Sequence, residues 1–224
     1  MKPGFYSFLN HYVSHIAIIL CFLPFVLVFW KKINREKAYL LIGIYWLITG
    51  LINIPENWLG LAQNKELQDN ITLVDNLLDT PLMLLVFYFS SQMMKKKMLL
   101  YMLAIFIPFE VVMVIWKGFN FDSITIIIGA GALITLLYSI WGLAQYFQKI
   151  EHTAFEATMG FAYAGFLFYY GVFMIIYIFN YLDYNKDTVQ VNLFFYYLSL
   201  ILATALTCIG IWRYTRPKLN KLFH

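Results

Sequence analysis

The stretch "LVDNLLDTPLM", residues 73–83, places two carboxylates one helical turn apart inside an otherwise apolar run. Asp75 and Asp79 are spaced i, i+4, so on a helix they share one face. Two ionised carboxylates that close repel, and one of them holds a proton unless a cation or a hydrogen-bond donor intervenes. Such a pair suits proton holding, cation holding, or anchoring the polar end of a ligand. Glu110, in "IPFEVV", is a third acid within an apolar run, and Glu56 follows Pro55 at the end of another. The remaining eight of the twelve acidic residues fall in polar stretches. His11 and His15 repeat the i, i+4 spacing, which suits a metal held between one-turn neighbours. The chain has no H-E-x-x-H, no third histidine at that depth and no cysteine beside the pair, so no metal ligand is assigned.

These groups have to be positioned by membrane helices. Of the 224 residues, 62% are apolar and 12% charged, against about 25% charged in a soluble domain. The charges are gathered into short clusters between apolar runs long enough to span a bilayer, for which about 20 residues suffice. Seven spans are predicted, at 8–30, 38–57, 71–91, 98–117, 123–148, 158–182 and 190–212. The fold class is therefore all-α: a polytopic membrane protein forming one seven-transmembrane-helix bundle over residues 1–224, with no room for a soluble domain. Short loops make consecutive helices antiparallel neighbours. The first span lacks a small-residue cleavage site and ends in "WKKINREK", which reads as a retained helix. The loop "ENWLGLAQNKELQDN" is the longest and is expected to carry a short interfacial helix.

Lys and Arg set the orientation. Twelve of the sixteen fall on the side of the loops after spans 1, 3 and 5 and the C-terminal tail, and four on the other. By the positive-inside rule the N-terminus is outside and the C-terminus cytoplasmic, in a plasma membrane such as the bacterial inner membrane. The net charge of +4 belongs to this topology, and nucleic acid is excluded as a partner. Trp30, Trp58, Trp116 and Trp212 stand at span ends, as an aromatic belt requires. Cys21 and Cys208 both lie within spans and read as small apolar packing residues. His152 reads as a solvated loop residue.

With this orientation Glu56, Asp75, Asp79, Glu110, His11 and His15 all fall in the outer half of the membrane, with Asn53, Asn76 and Asn180 at similar depth. An ionisable group in a bilayer costs a few kcal/mol on insertion scales, so it turns to the bundle interior. The expected site is an outer-half acidic pocket of Asp75, Asp79, Glu110, Glu56, His15 and Asn53. For Asp75 and Glu56 a place at headgroup level is an equal reading. On span 6, Phe166, Tyr170, Phe173 and Tyr177 form an aromatic stripe, readable as core or as a ligand wall. "GAGA", 129–132, reads chiefly as close helix packing. Gly160 and Ala164 offer either an internal contact or a seam for a homo-oligomer. Pro24, Pro81 and Pro108 are expected to kink their helices.

The plan resembles a microbial rhodopsin. Those proteins carry in their third helix an Asp, three residues, a polar residue, then Thr, Pro and Leu, and Asp75, Asp79, Thr80, Pro81 and Leu82 stand in those places. The resemblance implies a counterion role for Asp75. It also implies a retinal-binding lysine in span 7, but "QVNLFFYYLSLILATALTCIGIW" has none, so covalent retinal is not expected. The family's arginine near the counterion is likewise missing from span 3. The leading expectation is a receptor-like, opsin-like module that binds or senses a small apolar ligand noncovalently: a lipid, isoprenoid or carotenoid. The alternatives are a membrane-embedded lipid-modifying enzyme using His and carboxylates, or a small-solute or proton transporter. Membrane lipids are partners in every case.

Overall fold

The computed structural model describes residues 3–57, 65–91, 96–182 and 186–214. They form seven helices: α1 Pro3–Trp30, α2 Lys37–Asn57, α3 Lys65–Ser90, α4 Lys96–Lys117, α5 Phe121–Phe147, α6 Ala154–Leu182 and α7 Lys186–Arg213. Every one contains a window long and apolar enough to cross a bilayer. The seven-helix membrane bundle expected from the sequence is the observed fold.

Four helices start four to six residues earlier than expected: α1 at Pro3, α3 at Lys65, α6 at Ala154 and α7 at Lys186. "KELQDN" is the first part of α3; residues 58–64 of the loop expected to carry an interfacial helix lie outside the described residues. No Gly or Pro separates Lys65 from Asp79, so nothing breaks the backbone hydrogen-bonding there. The start of α6 is Ala154, four residues before the expected 158. Thr153 caps it: the Glu156 amide donates to Thr153 Oγ1 (3.2 Å), and the Thr153 amide donates to Glu156 Oε2 (3.0 Å). That reciprocal pair is a capping box. Lys149 closes on the same carboxylate at 2.6 Å. Asn120 caps α5 in the same way through Ser123.

Helices α1, α2, α3, α5, α6 and α7 close a ring, each packing on the next and α7 on α1, while α4 lies outside it against α3 and α5. Close approach is carried by small residues. Gly165 lies against the Ala203 carbonyl oxygen, where an added Cβ would sit 2.7 Å away, and Gly50 lies against Cys21. In "GAGA", Gly131 receives the Thr80 hydroxyl and Gly129 the Tyr177 ring. Gly160 packs on Tyr146 of α5, so its contact is internal. The ring's interior is aromatic: Trp46, Phe87, Phe166, Tyr39, Tyr45 and Tyr170 are fully buried. Trp46 stacks on Phe166 across the bundle, with centroids 5.6 Å apart. On the outside, α4 exposes Ile105, Val111, Val112 and Ile115, the surface a helix presents to acyl chains. Trp30, Trp116 and Trp212 are exposed at span ends; Trp58 lies outside the described residues.

At one end of the bundle, α2, α4 and α6 begin and α1, α3, α5 and α7 finish. Lys31 ties this end together. Its ammonium donates to the carbonyls of Trp212 and Tyr214, at and just past the C-terminus of α7, where carbonyls lack an intrahelical donor.

Candidate functional site

Asp79 sits about 9 Å below Leu73, where the apolar part of α3 begins, at 1.5 Å per residue. Thr80 and Pro81 follow it. Proline removes the amide that would bond the Leu77 carbonyl, loosening the backbone beside the acid. The Thr80 side chain is buried because Gly131 leaves room for it.

Both Asp79 oxygens are taken by hydroxyls from other helices. Tyr45 of α2 donates to Oδ1 at 3.1 Å, and Tyr170 of α6 donates to Oδ2 at 2.7 Å. The two tyrosine oxygens are themselves 2.9 Å apart. Three helices thus meet at one carboxylate. Neither a lysine nor an arginine pairs with it: among the described residues the sole ion pair is Lys149–Glu156.

A cavity of about 50 Å³ opens beside this cluster, lined by Asp75, Asn76, Asp79 and Thr80 of α3 together with Ile128 and Ala132 of α5 and aromatic rings of α6 and α7. It has room for a few water molecules. On the α6 and α7 side, the Tyr169 and Tyr196 hydroxyls are 3.2 Å apart, and Tyr196 is within hydrogen-bonding reach of Asn53 and feels the charge of Asp75. Asn53 is buried and donates to the Thr49 carbonyl one turn back at 2.8 Å. One wall of the cavity is therefore carboxyl, amide and hydroxyl; the other, at Ile128, Ala132 and Phe173, is apolar.

The expected residues divide as follows. Asp75 and Asp79 line the cavity. Glu110, on the outlying α4, is buried and turned toward the bundle, close enough to Asp79 for their charges to interact. Its Oε1 is sealed from solvent with no hydrogen-bond partner among the described residues. Asn53 reaches the cavity through Tyr196. His15 does not line it: its ring is half-exposed on α1, with Nδ1 2.5 Å from the His11 carbonyl oxygen and the ring 4.4 Å from that of exposed His11. Among the described residues no group of three or more His, Cys, Asp or Glu is placed to hold a metal. Glu56 lies in α2, but its side chain is outside the described residues, as is that of Asn180. The span 6 stripe supplies Tyr170 and Phe173 to the wall. His152 is half-buried and stacks on Tyr146 at 3.8 Å, because the α5–α6 turn folds it back over α5.

Tyr45, Tyr169 and Tyr196 were not expected. The signal for them is weak but physical: a tyrosine buried in a membrane helix needs a partner for its hydroxyl, and "GIYWLITG", "FLFYYGV" and "LFFYYLSL" place such hydroxyls inside predicted spans.

Comparison of the chain with family models, with curated proteins and with solved structures finds no significant match.

Proposed function

We propose that the chain is a membrane binding and sensing module whose cavity takes the polar end of a small, largely apolar ligand at Asp79. The observation that carries this reading is the clasp itself: one half-buried carboxylate held by hydroxyls from two other helices, at the wall of a cavity. A donor group entering the cavity competes with Tyr45 and Tyr170 for Asp79, and so acts on α2, α3 and α6 together. The cavity volume of about 50 Å³ suits an amine, a hydroxyl or a water-sized group, whereas a whole drug-sized ligand takes roughly 300–1,000 Å³. The ligand's apolar remainder follows the Ile128, Ala132 and Phe173 wall.

The reading keeps the rhodopsin-like plan without a Schiff base; a third-helix acid pair at the cavity and a lysine bias that favours an outside N-terminus support it. A carrier needs a polar route to the lysine-rich end. Ser199, Thr204 and Thr207 are the hydroxyls expected to supply one on α7, and each is already bonded to a carbonyl of its own helix at 2.7–2.9 Å. A histidine-based enzyme needs His11 and His15 at the acids, and they lie on the surface of α1.

The test is native mass spectrometry of the purified protein with a panel of isoprenoid alcohols, amines and lipids in a thermal-shift assay. A ligand that co-purifies or raises Tm in the wild type, and does neither in Asp79→Asn, supports the reading. If nothing co-purifies and no panel member moves Tm, the reading is wrong.

A further inference from the structure

A second, larger cavity opens at the other end of the bundle. About 510 Å³ in volume, it is lined by Glu36, Lys37 and Ala38 at the start of α2, Phe89 at the end of α3, Lys96 at the start of α4, Thr153–Phe155 at the start of α6, and Tyr214. Helices α2, α4 and α6 all point their N-termini at it, the ends that carry positive dipole charge. The first turns of α2 and α4 contain no acidic residue. Each instead begins with an exposed lysine, where a cation opposes the dipole. Neither ammonium has a carboxylate within ion-pair distance among the described residues. Lys37 rests over the Phe89 ring at 5.2 Å and Lys96 over the Tyr88 ring at 5.8 Å. The amides of Ala154 and Phe155 precede any intrahelical acceptor. Glu36 is the one carboxylate among the described lining residues, and it accepts a hydrogen bond from Tyr214 Oη at 3.1 Å. The α6 end is already compensated by Glu156 in its first turn, but two ammonium groups without a carboxylate partner, the uncompensated N-termini of α2 and α4, and a roomy aromatic floor formed by Phe89, Phe155 and Tyr214 suit an anion.

We propose that this mouth binds a phosphate-bearing anion, with Lys37 and Lys96 closing on the phosphate oxygens. The chemistry is shared by a soluble phosphate compound and by the headgroup of an anionic lipid, since the lining residues stand where the apolar spans begin and end.

The test uses the full chain in neutral detergent micelles. Inorganic phosphate is titrated against chloride at matched ionic strength, and phosphatidic acid is mixed into the micelles against phosphatidylcholine, with Tm as the readout. Selective stabilisation is expected in one arm. Phosphate alone identifies a soluble ligand; phosphatidic acid alone identifies a headgroup. The midpoint should rise about threefold in Lys37→Gln or Lys96→Gln and at least tenfold in the double variant. It should stay within twofold in Lys37→Arg, which keeps the charge, and in Lys117→Gln, at the opposite end of the bundle. No selective shift in either arm overturns the proposal, even if the double variant fails to fold. A shift that Lys117→Gln weakens as much as Lys37→Gln also overturns it, because the effect is then bulk charge.

Discussion

Replacing Tyr170 by Phe deletes one oxygen from the clasp and leaves the packing intact, since the ring is fully buried and phenylalanine has its shape. The lost hydroxyl donates to Asp79 Oδ2 at 2.7 Å, with the Tyr45 oxygen 2.9 Å away. A hydrogen bond to a charged group is worth about 1.5–3 kcal/mol in soluble proteins. Interhelical bonds within bilayers average about 0.6 kcal/mol, with a maximum of about 1.7. Tyr170 donates one short bond, to a carboxylate, and its removal strips Asp79 of a donor inside the bundle. We expect a loss of about 1.5–2.5 kcal/mol. Tyr45→Phe removes the longer bond of 3.1 Å and should cost about 0.5–1.5 kcal/mol, leaving Tyr170 on the acid. The assay is reversible unfolding in mixed micelles titrated with dodecyl sulfate. Asp79→Leu completes a double-mutant cycle, in which the coupling to Tyr170 should be about 1 kcal/mol. A Tyr170→Phe loss below about 0.3 kcal/mol, additive with Asp79→Leu, would refute the reasoning: the clasp would then be a crossing of side chains with no energetic content.

Gly131→Ala drives a methyl group into the Thr80 hydroxyl and should cost about 1–3 kcal/mol; Thr80→Ala should restore most of it, measured by the same unfolding titration. Glu156→Ala removes the capping partner of Thr153 and the Lys149 ion pair, for about 1–2 kcal/mol. Glu156→Gln keeps the cap and should lose only about 0.5 kcal/mol, because Lys149 is largely solvated. The expected orientation is checked by cysteine labelling in a background without Cys21 and Cys208: Lys117→Cys should react with an impermeant maleimide in intact cells, and Lys149→Cys only after permeabilisation. The opposite pattern would reverse the topology.

The bundle was legible because membrane spans advertise themselves by length and charge segregation alone. Lys31, Lys37, Lys96 and Lys149 mark one end regardless of how the helices pack. The α6 start was also written in the sequence, as T-x-x-E at 153–156, but the span rule counts apolar residues and passes over a capping box. The acids were findable because a carboxylate in an apolar run is expensive wherever it points. Their partners were not. Tyr45 is one of 17 tyrosines, and only the ring order of the helices brings it to Asp79. Depth alone misled for His15. Equal distance from the membrane surface says nothing about which face of α1 the ring occupies, and α1 turns that face away from the cavity. The lysine-rich mouth was invisible for a related reason: lysines at span ends are explained by topology, and a cleft between them exists only in three dimensions.

The two cavities share their helices. α2 carries Tyr45 and Lys37, α3 carries Asp79 and Phe89, and α6 carries Tyr170 and Phe155. Between the cavities lies a buried aromatic layer, in which Phe87 contacts Phe166 edge-to-face at 6.1 Å and Phe166 stacks on Trp46. Below it the Ser90 and Tyr163 hydroxyls join at 2.9 Å. Packed rings of this kind couple the helices that carry them, so communication between the two ends would travel as a shift of whole helices. Packed rings resist continuous deformation and settle into discrete arrangements. Opening the clasp at Asp79 should therefore alter the spacing of Lys37 from Phe155 at the other end. The expected coupling is about 1 kcal/mol, or roughly fivefold in affinity. It is measured as the midpoint for phosphate or phosphatidic acid in Asp79→Leu against wild type, once the direct binding experiment has shown which anion the mouth accepts. Linkage requires the reverse effect as well: the anion must change the affinity of any ligand found at Asp79 by the same factor. An anion midpoint unchanged by Asp79→Leu, while Lys37→Gln still raises it, would mean that the aromatic layer isolates the two ends and that the clasp does not move the helices.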